Sequence, residues 1–423
     1  MALFENRHGA APTYGLALLF LVSFFNYLDR MVLAVMVEPM KHDLELTDTQ
    51  LGLVSGLAFA VLYATMGLPL ARIADRGSRK WLLAICLAAW SAMTAITGLA
   101  RNFSELFLAR MGVGIGEAGC VPASHSMIGD MFTPEKRALA IGIFQAGGLL
   151  GMSVGLAAAG LAAETYGWRA ALIGVGLLGI PLALLLALTM REPPRAGSVR
   201  IRETTAVTMV ALARRRPLVH LIIGISIGSF ASYGITQWLP AFFIRSHQLS
   251  LAEVGLWGGL VGGLAGILGA VGGGALMIRL QPRDARWELW LPCIAYLACI
   301  PFYLNAFYVE SAVAAYAIKA VGIAVASAGG GVAIAAIQSH AEPHRRATAV
   351  AVMMFLSSLI GLGLGPTVVG AISDGLAAEF GDESLRYALM ISTGFLAWSA
   401  LHFVIAARAM TFPDQEGHSD AIA

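Results

Sequence analysis

Long apolar segments constrain the fold of this chain more than any other feature. Each holds about 20 or more mostly apolar residues, the length that a helix needs to cross about 30 Å of hydrocarbon. Lipid offers the backbone no hydrogen-bond partners, so such segments form helices or a closed barrel, and the period-2 alternation of barrel strands is absent. The sequence predicts an all-α membrane protein with twelve transmembrane helices. Their approximate bounds are 14–40, 48–72, 81–100, 104–131, 136–163, 168–190, 218–244, 251–279, 287–306, 311–339, 345–372 and 385–408.

The composition agrees with a chain that lies in lipid. Charged residues make up 13% of the 423 residues, hydrophobic residues make up 58%, and the mean hydropathy is +0.74. A soluble domain carries about 25% charged residues. The net charge of +2 gives no indication of a nucleic-acid partner. The four cysteines lie in apolar runs without a CxxC pair, which favours buried hydrophobic residues over metal ligands or disulfides.

Basic residues predict the orientation of the chain. Of the 28 lysines and arginines, 20 fall on the side of the two termini, 5 on the other side and 3 inside spans. The positive-inside rule then places both termini in the cytoplasm, and we expect an integral protein of the plasma (inner) membrane. The first span is too long for the 7–15 apolar residues of a signal peptide and contains Asp29 and Arg30, so we expect it to be retained.

The two halves of the chain repeat each other. FTPEKRA at residues 132–138 is similar to AEPHRRA at 341–347, an offset of 209 residues. An arginine- and proline-rich stretch separates the two sets of six spans and is interpreted as a solvated linker on the anionic leaflet. We predict an N-terminal six-helix bundle (1–190), a cytoplasmic linker (191–217) and a C-terminal six-helix bundle (218–423). Such a plan is typical of transporters with a site at the repeat interface.

Several short motifs resemble a known family. ARIADRGSRK at 71–80 is similar to the G-x-x-x-D-R-x-G-R-K signature of the major facilitator superfamily, and RMGVGIG at 110–116 to its R-x-x-x-G-x-G. NYLDR at 26–30, GIGEA at 114–118 and IGDMF at 128–132 resemble the Spinster branch. The resemblance implies two pseudo-symmetric six-helix bundles that rock to give alternating access. The branch implies proton-coupled movement of amphipathic, lysolipid-type substrates.

Charges within the predicted spans indicate the candidate site, because each costs about 2.5–3.5 kcal/mol at a helix centre on insertion scales. A helical rise of 1.5 Å per residue places Asp29 and Arg110 at similar depths, so they can pair if spans one and four face each other. Glu117 lies two turns deeper on the helix face of Arg110. We predict that Asp29 and Glu117 take and release protons, with Arg30 and Arg110 as switching partners or anchors for an anionic head group. The alternative is a static buried network.

Further residues are assigned to the cavity and its ends. Lys319 either faces the cavity and binds the substrate anion or extends outward to the interface. Glu38 and Lys41 are interpreted as charges at the outer rim. Predicted cavity-lining residues, for which ordinary packing is an equal alternative, are Asn26, Tyr27, Ser229, Phe230, Tyr233 and Gln237. The resemblance and the helix-end charges predict a cytoplasmic gate that contains Asp75, Arg76, Arg79, Asp130 and Arg137.

Glycine stripes are the last feature of the spans. Span five repeats glycine every four residues from Gly147 to Gly155, and span eight carries nine glycines from Gly258 to Gly274. Both stripes are interpreted as surfaces for close helix packing. GIGEAG at 114–119 formally matches G-x-G-x-x-G, but no strand precedes it, so a dinucleotide site is excluded.

We therefore predict a proton-coupled secondary transporter, not an enzyme, that acts as a monomer without a cofactor. Its partners are an amphipathic small-molecule substrate, protons and membrane lipid. The alternatives are a transporter of a hydrophilic solute or drug and, from another class, a non-transporting receptor or scaffold. An enzyme is disfavoured because no nucleophile–base or metal constellation is visible in the sequence.

Overall fold

The computed structural model describes residues 11–195, 205–342 and 344–410, and these residues confirm the all-α fold. A π-helical segment, Ser357–Leu364, and a 3-10 turn, Gly381–Glu383, flank α14. The helices are α1 (Ala11–Leu44), α2 (Asp48–Ser55), α3 (Leu57–Arg76), α4 (Arg79–Thr97), α5 (Phe103–Glu117), α6 (Cys120–Met131), α7 (Pro134–Thr189), α8 (Thr205–Arg214), α9 (Arg216–His247), α10 (Leu251–Leu280), α11 (Trp287–Tyr308), α12 (Ala312–His340), α13 (Arg346–Leu356), α14 (Gly365–Phe380) and α15 (Ser384–Ala409).

The number of membrane crossings stays a prediction. Among the described residues, ten segments are long and apolar enough to cross a membrane. Two of them, Pro134–Thr189 and Thr348–Ala409, have 56 and 62 residues and are each long enough for two crossings of about 20 residues. Gly167, with a φ of 83°, interrupts the first, and the 3-10 turn interrupts the second. These breaks support twelve crossings.

The packing of α7 shows that the chain reverses at Gly167. Before this residue, Gly147 and Gly151 contact Phe20 and Phe24 of α1 in the same order, so the two helices run parallel. After it, residues 176 and 179 contact residues 95 and 91 of α4 in the opposite order, so these segments run antiparallel. A Cβ at Gly151 would lie 2.1 Å from the Phe24 carbonyl oxygen. The span-five glycines therefore allow close packing, as the sequence predicts.

Two ends of the bundle matter for function. We call the end that holds the turns at residues 44–48 and 247–251 the distal end, and the end that holds the turns at 76–79 and 131–134 the proximal end. Residues 52 and 366 of the two halves touch towards the distal end, where a Cβ at Gly52 would lie 2.5 Å from the Pro366 carbonyl oxygen. The halves therefore meet closely at the distal end.

Helix caps reflect the internal repeat. The N-caps Asn102 of α5 and Ser311 of α12 are 209 residues apart, as are the last residues of α6 and α12, Met131 and His340. The boundaries 1–190, 191–217 and 218–423 stay predictions. Residues 196–204 of the predicted linker lie outside the described residues, as does Pro343 of the repeated motif.

Candidate functional site

Four charged residues meet inside the N-terminal half, and we call Asp29, Arg30, Arg110 and Glu117 the N-half charge cluster. Asp29 and Arg110 are each 3% exposed and Glu117 is fully buried. Glycines bring their helices together, since a Cβ at Gly114 would lie 2.4 Å from a carbonyl oxygen of α3. The helix ends at Glu117 and resumes at α6. The close approach of α3 and α5 thus positions Arg110 and Glu117.

One direct ion pair holds the cluster together. Nε of Arg30 donates to Oε2 of Glu117 at 2.7 Å, and the hydroxyl of Thr94 donates to Oδ2 of Asp29 at 2.8 Å. Arg110 is attracted by the charges of both Asp29 and Glu117. Asp29 and Arg110 therefore lie in one electrostatic network, whereas the direct ion pair of the cluster joins Glu117 to Arg30, the neighbour of Asp29 in sequence.

The two carboxyl groups of the cluster are incompletely satisfied. Oδ1 of Asp29 and Oε1 of Glu117 accept no hydrogen bond from any described residue. The two groups are near enough for their charges to interact. A buried acceptor without a donor is unfavourable, and so are two like charges in a site of low dielectric. One proton held between these two groups would relieve both conditions.

Aromatic rings surround the cations of the cluster. The guanidinium of Arg30 lies 5.0 Å from the ring centroid of Phe59 and 4.8 Å from that of Tyr63. Arg110 lies 5.5 Å from the same Phe59 ring. Tyr233 of α9 is near enough to Arg30 for an electrostatic interaction. The cluster therefore borders the other half of the molecule.

Lys319 is the buried cation of the C-terminal half. It is 2% exposed, and its Nζ has no hydrogen-bond partner among the described residues. Nζ lies 3.3 Å from the ring centroid of Tyr303 and 4.9 Å from that of Phe307. Of the two predicted orientations, the structure thus has the inward one, and Lys319 does not extend to the interface.

A cavity of about 500 Å³ lies beside Lys319, between α7, α9, α10, α11 and α12. Its volume falls in the range of about 300–1,000 Å³ that small-molecule sites occupy. Apolar side chains and glycines form most of its wall, and Tyr296, Tyr303 and Tyr316 also line it. Among the described residues that line this cavity, Lys319 is the charged one. The cavity therefore suits a mainly apolar ligand that carries an anionic group.

The six predicted cavity residues do not line this cavity. Asn26 is 2% exposed, and Tyr27 lies beneath the Arg30 guanidinium at 5.4 Å, so both border the charge cluster. Phe230 packs against Phe395 of α15 with ring centroids 4.7 Å apart, which places it in helix packing.

The other three predicted cavity residues also lie on α9. Ser229 and Tyr233 share a face of α9, as predicted, because both contact Gly361. Gln237 is half-buried on the same helix. The aromatic residues that line the cavity come instead mainly from α11 and α12, where the sequence offered no signal beyond ordinary aromatic positions.

Charged residues also join the two halves at the distal end, and sequence reasoning missed this contact. We call Glu38, Lys41, Asp48 and Arg245 the distal gate. Arg245 of α9 donates to Glu38 of α1 at 2.8 Å and to both carboxylate oxygens of Asp48 at 2.7 and 2.8 Å. Lys41 donates to Asp48 at 2.7 Å.

The distal gate corrects the interpretation of Glu38. Glu38 is 7% exposed and Asp48 is 1% exposed, so Glu38 is a buried gate residue, not a charge at the solvent rim. Asp374 of α14 adds a further link, because its carboxylate accepts hydrogen bonds from the backbone NH groups of Asp48 and Thr49. The gate therefore holds α1 and α2 against α9 and α14.

The predicted cytoplasmic gate divides into paired and exposed residues. Arg79 is 1% exposed and pairs with Asp130 and with Glu192, the latter at 2.9 Å. Asp75 is exposed, and its backbone carbonyl accepts a hydrogen bond from Arg195. Thus Glu192, which the sequence analysis did not select, supplies a carboxylate partner of Arg79.

The remaining members of that set make no link to the other half among the described residues. Arg76 is exposed, and Arg137 donates to the carbonyl oxygen of Gly129 at 2.7 Å. Arg79 and Asp130 belong to the N-terminal half, and Glu192 follows α7 directly, at the start of the predicted linker. These contacts therefore brace α4, α6 and the end of α7 within one half.

Glu192 lies outside the membrane-spanning segments. Burial raises the pKa of its carboxyl, but hydrogen bonds from the Lys80 backbone NH, the Ser78 hydroxyl and Arg79 outweigh burial and lower the pKa below its ordinary value. Among the described residues, no group of three or more His, Cys, Asp or Glu side chains is arranged to hold a metal ion.

Comparison with known proteins identifies the family. The Major Facilitator Superfamily model matches residues 19–366. An MFS-type efflux pump from Mycolicibacterium smegmatis is 36% identical, covering 91% of this chain and 90% of the relative. A sphingosine-1-phosphate transporter from Danio rerio is 26% identical, covering 90% and 81%.

A solved structure agrees with this assignment. The crystal structure of a bacterial homolog to the human lysosomal transporter Spinster, inward-facing and unoccupied, superimposes with a TM-score of 0.86. It is 29% identical and covers 97% of this chain and 100% of that one. The matches agree with the motifs in α1, α5 and α6, and with the helical fold. The chain therefore belongs to the Major Facilitator Superfamily, as a membrane transporter of its Spinster-like branch.

Proposed function

We propose that this protein is a proton-coupled secondary transporter that moves an amphipathic organic anion by alternating access. The observation that carries the proposal is the N-half charge cluster. Four charges without bulk solvent are costly to bury in a membrane protein, and two of the carboxylate oxygens lack a donor among the described residues. A site built for structure alone gains little from such incomplete pairing.

Proton binding at the cluster gives a coupling step. A proton on Glu117 removes the charge that attracts Arg30, so the 2.7 Å ion pair weakens. Arg30 is then free to interact with other groups, and Tyr233 of the opposite half is already near its guanidinium. Protonation thus changes a contact at the boundary between the two halves, where alternating access requires a change.

The distal gate supplies the opposing barrier. The basic residues of the loops predict that the distal end faces outward, in the plasma (inner) membrane, with both termini in the cytoplasm. The ion pairs of Arg245 with Glu38 and Asp48 close that end, as an inward-facing state requires. The inward-facing conformation of the similar bacterial Spinster homolog supports this assignment.

The cavity beside Lys319 supports the choice of substrate class. A single cation among aromatic and aliphatic groups recognises an anionic head attached to an apolar body. The name of the Danio rerio relative states that it transports sphingosine-1-phosphate, a substrate of that chemical class. The name of the mycobacterial relative indicates efflux. A hydrophilic solute or drug stays the alternative substrate.

We expect the transporter to act as a monomer. The test uses the purified protein in proteoliposomes. Uptake and efflux of a lysolipid, a sugar and a cationic drug are measured with and without an imposed pH gradient. We expect a pH gradient to drive transport of the lysolipid, and Glu117→Gln to abolish this drive while exchange of labelled for unlabelled substrate persists. Exchange persists because it needs no net proton movement.

A matched control is Glu379→Gln, which neutralises an exposed carboxylate of α14. It should leave pH-driven transport unchanged. Equal pH-driven transport by wild type and Glu117→Gln would contradict the role of Glu117 in coupling, and wild-type transport that does not respond to the pH gradient would contradict proton coupling itself. Transport of the sugar or the drug, with no transport of the lysolipid, would contradict the substrate class.

A further inference from the structure

The glycines of α10 fall into two groups that the sequence does not distinguish. Some are required for packing: a Cβ at Gly259 would lie 2.3 Å from the carbonyl oxygen of Ser153, and one at Gly269 would lie 2.1 Å from that of Ala324. A side chain cannot enter at such distances without moving backbone. These two glycines therefore behave as the predicted packing stripe.

The second group faces open space. A Cβ at Gly262 of α10, or at Gly330 or Gly331 of α12, would meet no heavy atom within 4 Å. At Gly266 the nearest atom, the Ser327 hydroxyl oxygen, is 3.9 Å away. All four glycines line the cavity that contains Lys319. Helix packing gives no reason for glycine at these positions, so the prediction of a packing stripe is wrong for Gly262 and Gly266.

Lys319 gives independent evidence that a ligand occupies this space. Its ammonium group is buried, lines the same cavity and has no hydrogen-bond partner among the described residues. The Tyr303 ring provides an attractive face, but it does not neutralise the charge. An anionic group that enters the cavity would be the missing partner.

We propose that the wall formed by Gly262, Gly266, Gly330 and Gly331 holds the apolar chain of the substrate and sets its maximum length, while Lys319 binds the anionic head. This inference rests on the proposed function only in its substrate class, an amphipathic anion. Glycine keeps the wall flat, so a linear chain can lie against the backbone of both helices.

The dimensions of the wall fit a single alkyl chain. Gly331 lies 12 residues after Lys319 on α12, which corresponds to about 18 Å along the helix axis. One leaflet of the bilayer, half of a hydrocarbon core of about 30 Å, is about 15 Å deep. The distance from the lysine to the far glycine is thus similar to the length of a lipid chain in a membrane.

The experiment measures binding of n-alkyl phosphates to the purified full-length protein. Dodecyl, tetradecyl and hexadecyl phosphate present the same head with increasing chain length. Each methylene that the wall buries should raise the affinity by about fourfold. Gly331→Leu fills the end of the cavity that lies about 18 Å from Lys319, so it should lower the affinity for hexadecyl phosphate by about tenfold or more and change that for dodecyl phosphate by less than about twofold. Lys319→Gln should weaken all three to a similar extent.

The matched control is Gly272→Leu, on α10. Gly272 also has no atom within 4 Å of an added Cβ, but it does not line the cavity. It should leave the order of affinities unchanged. The inference is overturned if Gly331→Leu keeps the wild-type preference for the longer chain, if Gly272→Leu alters that preference equally, or if wild type binds none of the phosphates. These outcomes concern binding alone, so failure of proton coupling in the transport assay is a separate result.

Discussion

The two halves place a cation at equivalent positions but surround it differently. Lys319 lies 209 residues after Arg110, which is also the offset between the N-caps of their helices. Arg110 shares its site with Asp29 and Glu117. At the position equivalent to Glu117, 209 residues later, the C-terminal half has Ala326 instead of a carboxylate. The neighbours of Lys319 are the aromatic rings of Tyr303 and Phe307.

This difference separates two kinds of chemistry. The N-terminal site contains two cations and two carboxylates, so its charges balance and protons can change that balance. The C-terminal site contains a cation without a carboxylate partner, so an anionic ligand improves its electrostatics. The same helix position thus suits proton exchange in one half and anion binding in the other, and the following experiments test that division.

The largest effect is expected on stability. Arg110→Met removes one cation from a balanced buried cluster and should destabilise the protein by about 3–5 kcal/mol. Lys319→Met removes a buried charge without a carboxylate partner, so stability should be unchanged or higher. Thermal unfolding of the purified variants in detergent measures both. A similar fall in Tm for the two variants would contradict the distinction between the halves.

The second effect concerns the distal gate, where the N-terminal half supplies carboxylates and the C-terminal half supplies Arg245. Arg245→Met removes the partner that the C-terminal half supplies to two buried carboxylates and should shift the balance of states by about 2 kcal/mol, roughly thirtyfold, towards distal opening. Distances between spin labels at Glu45 and Asp382 measure the opening. Arg386→Met, which breaks a pair with Glu383 inside one half, is the control and should leave the distances unchanged.

The third experiment introduces a carboxylate into the C-terminal site, so that this site resembles the N-terminal one. Ala326 lies seven residues after Lys319, two turns along the same face. Ala326→Glu should supply the absent carboxylate, occupy Lys319 and weaken binding of dodecyl phosphate by about tenfold. Ala326→Gln has a similar size without the charge and should bind more tightly than the Glu variant. Equal affinities for these two variants would show that charge at this position does not matter.

The smallest effect is expected at Glu192, which braces the N-terminal half at its proximal end. Its pKa is lowered in the folded protein, so its contribution to stability is present above the ordinary glutamate pKa and is lost as the pH falls through the lowered value. Glu192→Gln should lower the Tm by about 1 °C at neutral pH, because the group is partly exposed. The difference should disappear in acid. A constant difference at every pH would mean that the carboxylate charge is not its origin.

Many of the charged residues of the site were predictable from the sequence, but the ion pairs that they form were not. Asp29, Arg110 and Glu117 stand out because charges are rare in apolar segments. Their partners depend on which helices touch, and the direct pair proved to be Arg30 with Glu117. Glu38 illustrates the same limit: a charge near a helix end is ordinary in sequence, and only the approach of α9 makes it part of a buried gate.

The sequence by itself determines that this chain crosses a membrane in long helices. The reason is that the free energy of transferring a segment into lipid depends mainly on the length and polarity of that segment. It also determines the internal repeat and the positions of the buried charges. Tertiary structure alone decides which of those charges meet, since Arg30 and Glu117 are 87 residues apart and Arg245 and Asp48 are 197 apart. It also decides which glycines pack and which face a cavity, because a glycine has no side chain to mark its surroundings in the sequence.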